Sequence, residues 1–172
     1  MAFFDYLGPP CNIREVNLIA ASPKRLSKLL ELQPHQTLKQ EDPMPRSQYD
    51  AKIWVETAKD FYKNAGKRIA LAEFTNPNGQ FRDGELYIYV LNPKGTMLAH
   101  GINERFVGED FLGLTDSDGR FFIKEIVDAA NTKGSGWVQY KWYHPVSKEW
   151  LPKIAYFEKV DDLILVSAVY RE

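Results

Sequence analysis

Lys153 is the side chain whose neighbours in the sequence most suggest a chemical role. It follows Pro152 directly, at the head of an apolar strand pattern, and an aromatic run lies shortly before it. If that run is a strand, Tyr140 and Trp142 share one face, because successive side chains of a strand point to opposite faces. A buried ammonium needs an anion, since an unpaired charge in an apolar site is costly. Aromatic walls with one cation are therefore what a pocket for a small anion needs.

Two further tyrosines can add walls to this pocket. Tyr87 and Tyr89 lie on the first strand of a predicted hairpin, and both faces of that strand are apolar or aromatic, so both are expected to be covered. Trp137 and Tyr143 take the other face of the aromatic run and are expected to pack elsewhere. The alternative for Lys153 is a surface lysine at the start of a strand, and for the aromatic run an ordinary packed core.

The other residues that can carry chemistry do not form a catalytic or metal-binding pattern. His35, His100 and His144 are scattered and lack the spacing of a metal site. Residues 116–119 fail as a calcium loop, because Arg120 stands at the fifth position and glycine comes too early; we interpret them as a turn and helix cap. There is no Gly-rich phosphate loop, no Gly-x-Ser-x-Gly and no paired catalytic cysteine and histidine. We therefore predict no enzymatic activity, no metal and no cofactor.

Composition and charge narrow the class of protein further. The chain has 172 residues and a net charge of -1, which argues against nucleic-acid binding because no basic stripe could neutralise several phosphates. The single Cys11 excludes an intrachain disulfide. No run of about 18 apolar residues suggests a membrane span. The N-terminus has no basic region, and Asp5 interrupts its apolar run, so no secretory signal is predicted and a cytoplasmic location is expected.

Residues 1–50 differ in composition from the rest of the chain, because prolines are concentrated there. Ser22 and Pro23 suit the N-cap and first position of a short helix that ends before the next proline. The polar stretch 37–48 has the composition of a linker. We therefore predict an accessory helical segment and linker in residues 1–50, followed by a ligand-binding domain in residues 51–172.

The second part of the chain has the pattern of one α+β domain. Apolar residues at spacings of three and four predict an amphipathic helix of about 20 residues that begins near Asp50 and runs through Gly66. A hairpin at 84–100, a second helix that ends at Gly134, and a three-strand meander follow. Helices that are not interleaved strand by strand favour one antiparallel sheet. The second helix is expected to bury Phe122, Ile123, Ile126, Val127 and Ala130.

The order and spacing of these pieces resemble a single Cache domain, the small-molecule sensor module of bacterial chemoreceptors and histidine kinases. The resemblance covers roughly residues 52–170. Its motifs, in chain order, are Leu86-Tyr87-Ile88-Tyr89-Val90-Leu91, Gly95-Thr96-Met97-Leu98-Ala99-His100, Asn103, Val107-Gly108, Asp116 to Phe122, Gly134-Ser135-Gly136-Trp137-Val138-Gln139-Tyr140-Lys141-Trp142 and Pro152-Lys153.

The resemblance implies a PAS-like fold, in which a five-stranded antiparallel sheet has a long N-terminal helix behind it. A ligand pocket would lie between the other sheet face and the helix-containing connection. The implied ligand is a small organic acid such as acetate, propionate, lactate or pyruvate. The resemblance also implies that His100 lies near the pocket, although a hydrogen-bonded loop histidine is the alternative. The expected ligand-binding residues are Tyr87, Tyr89, His100, Tyr140, Trp142 and Lys153.

The function expected from this resemblance is that of a stand-alone Cache-type sensory domain for signal transduction or chemotaxis. Its partners would be a small carboxylate and either a signalling protein or a second copy of the chain, with no nucleic acid and no membrane span. The alternative is a protein–protein adaptor or dimerisation module that has lost ligand binding. Residues 1–50 motivate that alternative, because they could dock on a partner.

Overall fold

A computed structural model describes residues 46–171 of the chain. The first helix, α1 (Gln48–Ala65), begins after Ser47. The Ser47 hydroxyl accepts a hydrogen bond from the Asp50 N–H at 3.3 Å, and the Asp50 carboxylate accepts one from the Ser47 N–H at 2.7 Å. This capping box satisfies N–H groups that the start of a helix leaves unpaired. The accessory segment predicted for residues 1–50 falls almost entirely outside the described residues.

The prediction of one long helix from Asp50 is wrong, because the helix ends at Gly66. A separate helix, α2 (Lys67–Thr75), follows at once. Gly66 has φ 80° and ψ 161°, a conformation that glycine alone adopts readily. The Gly66 N–H donates to the Tyr62 carbonyl at 2.9 Å, and the Gly66 carbonyl accepts from the Ala70 N–H at 3.0 Å. The break therefore changes the direction of the chain without leaving these backbone groups unpaired.

The strands form one antiparallel sheet, which confirms the predicted α+β fold. Its strands among residues 46–171 are β1 (Arg82–Asp83), β2 (Leu86–Leu91), β3 (Met97–His100), β4 (Ser135–Tyr143), β5 (Trp150–Val160) and β6 (Leu163–Tyr170). The five longer strands lie in the order β3-β2-β6-β5-β4, and the two-residue β1 pairs with the start of β2. β4, β5 and β6 are the predicted meander, with β5 paired to both neighbours.

Helices cover both faces of this sheet. On one face Ile88, Val90 and Leu165 pack with Val55 of α1 and Phe74 of α2. On the other face the sheet packs against α3, the helix Phe122–Lys133. The stripe predicted for this helix is confirmed, since its buried residues are Phe122, Ile123, Ile126, Val127 and Ala130.

The connection between β3 and α3 is held in place by one buried carboxylate. Asp116 accepts hydrogen bonds from the N–H groups of Asp118 and Arg120, both at 2.9 Å, and from the Lys141 N–H of β4 at 3.1 Å. Burial acts to raise the pKa of Asp116, but these hydrogen bonds prevail and lower it. Residues 116–119 are therefore a turn, as predicted, but Asp116 joins the turn to the edge of the sheet instead of capping α3.

Candidate ligand-binding site

The residues predicted to bind a ligand lie together on the sheet face that α3 covers. Tyr140 of β4 is opposite Lys153 of β5, which in turn is opposite Tyr170 of β6. Towards the opposite edge of the sheet, and on the same face, Tyr89 of β2 is opposite His100 of β3. Because side chains alternate along a strand, the same face also carries Tyr87 and Trp142.

A small inner cavity of about 40 Å³ lies between this face, α3 and the connection before it. The polar groups in its lining belong to tyrosine, tryptophan and histidine side chains, among them Tyr89, Tyr140 and His100. The inner cavity is therefore an apolar chamber with a few groups that can form hydrogen bonds. Its apolar walls are Met97, Phe106, Phe111, Leu114, Phe122 and Ile123.

A larger outer cavity of about 450 Å³ adjoins the inner one. Lys153 and Tyr170 line it, and so do Arg82 and Glu85 near β1. A ligand can thus have an apolar part in the inner cavity and a charged part in the outer cavity. The two cavities share Tyr87, His100, Phe106 and Trp142 as lining residues.

Lys153 is a buried cation at the outer cavity. Its side chain is 2% exposed, and its Nζ lies 5.1 Å from the ring centroid of Tyr87 and 4.6 Å from that of Tyr170. Burial lowers the pKa of Lys153 to about 8, although the charge of Glu85 acts to raise it. No carboxylate of residues 46–171 forms an ion pair with Nζ. The alternative of a surface lysine is wrong, because β5 begins at Trp150 and Lys153 lies within the sheet.

Glu85 is the carboxylate that influences Lys153 from a distance, and His144 holds it in place. The Glu85 Oε1 lies 2.6 Å from Nε2 of His144, while Nδ1 of the same ring accepts a hydrogen bond from the Ser147 N–H at 3.0 Å. The His144 ring packs edge-on against Tyr170, with centroids 4.7 Å apart. Glu85 therefore has its own partner, and Lys153 is left facing the cavity.

His100 is a neutral hydrogen-bond donor at the border of the two cavities. Its Nδ1 accepts hydrogen bonds from the N–H groups of Ile102 at 3.2 Å and Asn103 at 2.9 Å, so the proton of the neutral ring lies on Nε2. Burial and, to a lesser extent, the positive charge of Lys153 lower the pKa of His100 to about 4. His100, the last residue of β3, is thus hydrogen-bonded to the loop that follows it and lines both cavities.

Tyr89 has a buried hydroxyl without a hydrogen-bond partner among residues 46–171. The Tyr140 hydroxyl lies near enough to influence the pKa of Tyr89, yet the two hydroxyl groups do not form a hydrogen bond of normal geometry. Burial raises the pKa of both tyrosines above the usual range, so both keep their protons. An unpaired buried hydroxyl costs about 1–3 kcal/mol, and a ligand oxygen would remove that cost.

The aromatic run on β4 directs its two faces to different surroundings. Tyr140 stacks on Phe122 at the start of α3, with centroids 4.1 Å apart and planes inclined by 10°, and Trp142 packs edge-on against the same ring. Trp137 lies on the opposite face against Tyr156, at 4.8 Å. Pairing of Tyr140 with Phe122 therefore closes one side of the inner cavity.

Sequence reasoning did not identify Tyr170 or the apolar walls as parts of this site. Tyr170 could have been found from the register of the meander, because it is opposite Lys153 across two adjacent strands. Phe122 and Ile123 were expected only as core residues of α3. No local pattern separates a residue that lines a cavity from one that fills the core, since both are apolar and buried.

Residues 46–171 contain neither a metal-binding cluster nor a membrane-spanning helix. No group of three or more histidine, cysteine, aspartate or glutamate residues in this range could hold a metal ion. None of the helices there is long and apolar enough to cross a membrane.

Comparisons with known proteins identify the family and the fold of this chain. Residues 57–170 match the profile of the family described as single Cache domain 2. The fold is similar to that of a methyl-accepting chemotaxis protein from Vibrio parahaemolyticus, with 21% identity over 71% of this chain and 86% of that one and a TM-score of 0.61. It is also similar to the periplasmic sensor domain of a chemotaxis protein, with 25% identity over 72% of this chain and 90% of that one and a TM-score of 0.57.

A third solved structure is a Cache chemosensory domain described for its recognition of carboxylic acids. It shares 21% identity with this chain, covers 88% of this chain and 100% of its own, and has a TM-score of 0.60. Cache domains are sensing domains and are typically extracytoplasmic. Since the family profile spans most of the described residues, this chain belongs to the single Cache domain 2 family.

Proposed function

We propose that this domain senses a small organic acid, which binds with its carboxylate beside Lys153 and its carbon chain in the inner cavity. The observation that carries the proposal is the buried Lys153 ammonium without a carboxylate partner among residues 46–171. A ligand carboxylate supplies the missing anion. The Nε2–H of His100 and the hydroxyl of Tyr89 are neutral donors that can bind other ligand oxygens.

The volume of the inner cavity limits the size of the ligand. About 10–15 Å³ of such volume holds one water molecule, so a cavity of about 40 Å³ accommodates about three non-hydrogen atoms. Beyond their carboxylates, acetate, propionate, lactate and pyruvate have about one to three non-hydrogen atoms, so all four fit this volume. We therefore expect affinity to fall when the unbranched chain is extended beyond butyrate, whose propyl group fills the inner cavity.

The output of the domain is also part of the proposal. Two of the similar structures come from chemotaxis proteins, and another recognises carboxylic acids. These likenesses support a role in signal transduction or chemotaxis, with ligand binding passed on to a signalling protein or a second copy of the chain. The adaptor alternative is disfavoured by Lys153, because a module without a ligand has no need of a buried and costly cation.

Isothermal titration calorimetry with acetate, propionate, lactate and pyruvate tests the proposal. Propionamide, which has the shape of propionate without its charge, is the ligand control. Lys153→Met is expected to weaken binding by about 2 kcal/mol or more, roughly 30-fold. Lys63→Met on the exposed side of α1 is the matched protein control and should bind normally. Equal affinity for propionate and propionamide, or unchanged binding by Lys153→Met, would refute the carboxylate clamp.

The organisation and location of the protein are further proposals. We propose that residues 51–172 bind the ligand and that residues 1–50 are accessory, so deletion of residues 1–45, which keeps the Ser47 cap of α1, should leave ligand affinity unchanged. The sequence predicts a cytoplasmic protein, whereas Cache domains are typically extracytoplasmic. Fractionation of cells that express the full chain distinguishes the two locations.

A further inference from the structure

Lys153 combines three features that an amine needs in order to act as a nucleophile. The residue is only 2% exposed, and it lies on a strand that is paired along both edges. It faces the outer cavity of about 450 Å³, which has room for a reactant. Glu85, the carboxylate whose charge acts on Lys153, is paired with His144 at 2.6 Å, and no ion pair within residues 46–171 holds the amine in its protonated form.

We propose that Lys153 forms a reversible imine with a small carbonyl compound, either a 2-oxo acid or an aldehyde, that enters the outer cavity. This inference rests on the proposed function, because it uses the same cavity and the same side chain. It differs from carboxylate binding in the form of Lys153 that takes part. The ammonium binds a carboxylate, whereas the neutral amine attacks a carbonyl carbon.

The reaction needs no oxidant, reductant or cofactor. The lone pair of Nζ attacks the carbonyl carbon and forms a carbon–nitrogen bond, while the carbonyl oxygen becomes a hydroxyl. The second proton of the amine is transferred to that hydroxyl, which leaves as water, and the lone pair on nitrogen completes the carbon–nitrogen double bond. One water is released for each imine formed, and hydrolysis by water in the same cavity reverses the reaction.

Burial makes the neutral amine available near physiological pH. The pKa of Lys153 is lowered to about 8, so about one molecule in ten carries the neutral amine at pH 7, whereas an ordinary lysine is neutral in about one molecule in a few thousand. Reaction at Lys153 should therefore rise with pH up to about pH 8 and then level off, while carboxylate affinity falls above that pH. The titratable or charged residues that face Lys153 or its cavity are Arg82, Glu85, Tyr87, His100, Tyr140, Tyr143 and Tyr170.

Reductive trapping of the full chain tests the imine. The protein is incubated with pyruvate or acetaldehyde and sodium cyanoborohydride at several pH values, and the modified lysines are located by peptide mapping. With pyruvate, Lys153 should gain the mass of pyruvic acid less one oxygen atom. Its adduct should exceed that on exposed Lys63 by at least about ten-fold at pH 7, because burial lowers the pKa of Lys153 to about 8 and so makes its neutral amine available. Acetate, which cannot form an imine, is the ligand control.

Variants of Lys153 assign the adduct, and calorimetry of the wild type with acetate tests the proposed function separately. Lys153→Arg keeps the charge but cannot form an imine, so it should lose the adduct. Lys153→Met should lose the adduct and bind acetate about 30-fold more weakly, and Lys63→Arg should change neither the adduct at Lys153 nor acetate binding. An adduct at Lys153 with pyruvate only or with acetaldehyde only still supports the imine and identifies the carbonyl class. Trapping in the wild type that is no greater at Lys153 than at Lys63 overturns the inference, even if calorimetry shows that acetate binds.

Discussion

Replacement of Lys153 by methionine is expected to stabilise the protein while it weakens carboxylate binding. Methionine keeps a long unbranched stem and removes the charge. In the folded state burial lowers the pKa of Lys153 from 10.5 to about 8, and each tenfold change in proton affinity corresponds to about 1.4 kcal/mol. The buried ammonium therefore costs about 3 kcal/mol at neutral pH. Because the cation–π contacts with Tyr87 and Tyr170 are lost as well, we expect a net gain of about 2 kcal/mol in the free energy of unfolding.

The dependence of stability on pH identifies the source of this gain. Between about pH 8 and pH 10 the unfolded chain binds the proton of Lys153 more tightly than the folded chain does, so the stability of the wild type rises with pH. Tyr87, Tyr89 and Tyr140 act in the opposite direction, because burial raises their pKa while the unfolded chain ionises tyrosine near pH 10. The rise should therefore be visible from about pH 7.5 to pH 9.5, and Lys153→Met should lack it.

Urea unfolding of the wild type and both methionine variants at pH 7 and pH 9 measures this difference. Lys63→Met, on the exposed side of α1, should stay within about 0.5 kcal/mol of the wild type at both values. The reasoning is refuted if Lys153→Met is less stable than the wild type at pH 7. It is also refuted if the two proteins gain stability equally between pH 7 and pH 9, because Lys153 would then have an ordinary pKa in the folded state.

Three other predictions follow from the same geometry. Tyr89→Phe removes a buried hydroxyl without a protein partner, so thermal unfolding should show a protein at least as stable as the wild type, while calorimetry shows weaker ligand binding by about 1 kcal/mol. His100 should titrate near pH 4 in an NMR experiment, and stability should be lost as pH falls from about 6.5 towards 4, because the unfolded chain takes up that proton first; an ordinary histidine pKa would contradict its burial. Gly95→Ala should destabilise the protein by about 1–3 kcal/mol in urea, since Gly95 has φ 87° and an added Cβ collides with Leu112. Gly113→Ala is its control, because no atom lies within 4 Å of the added Cβ, and an equal loss in both variants would exclude the collision as the cause.

Elements with a strong local pattern could be predicted from the sequence. The buried stripe of α3 follows from the helical period of its apolar residues. β6 follows from a continuous apolar run, and helices cover this strand on both faces of the sheet. The break at Gly66 could not be predicted, because an amphipathic stripe tolerates one glycine in a straight helix as well as at a bend. What decides between the two is how the stripe fits the sheet beneath it, which is a property of the tertiary structure.

The sequence by itself determined the types of side chain that this protein can bring to a ligand and the strand faces that carry them. Two-residue alternation is enough to put Tyr140 and Trp142 on one face, and the motif order is enough to indicate the Cache family. Only the tertiary structure decided that Lys153 is buried beside Tyr170, that Glu85 is paired with His144, and that His100 is neutral. The pKa of an ionisable group depends on the water, charges and hydrogen bonds around it. These surroundings come from strands that are distant in the chain and adjacent only in the folded sheet.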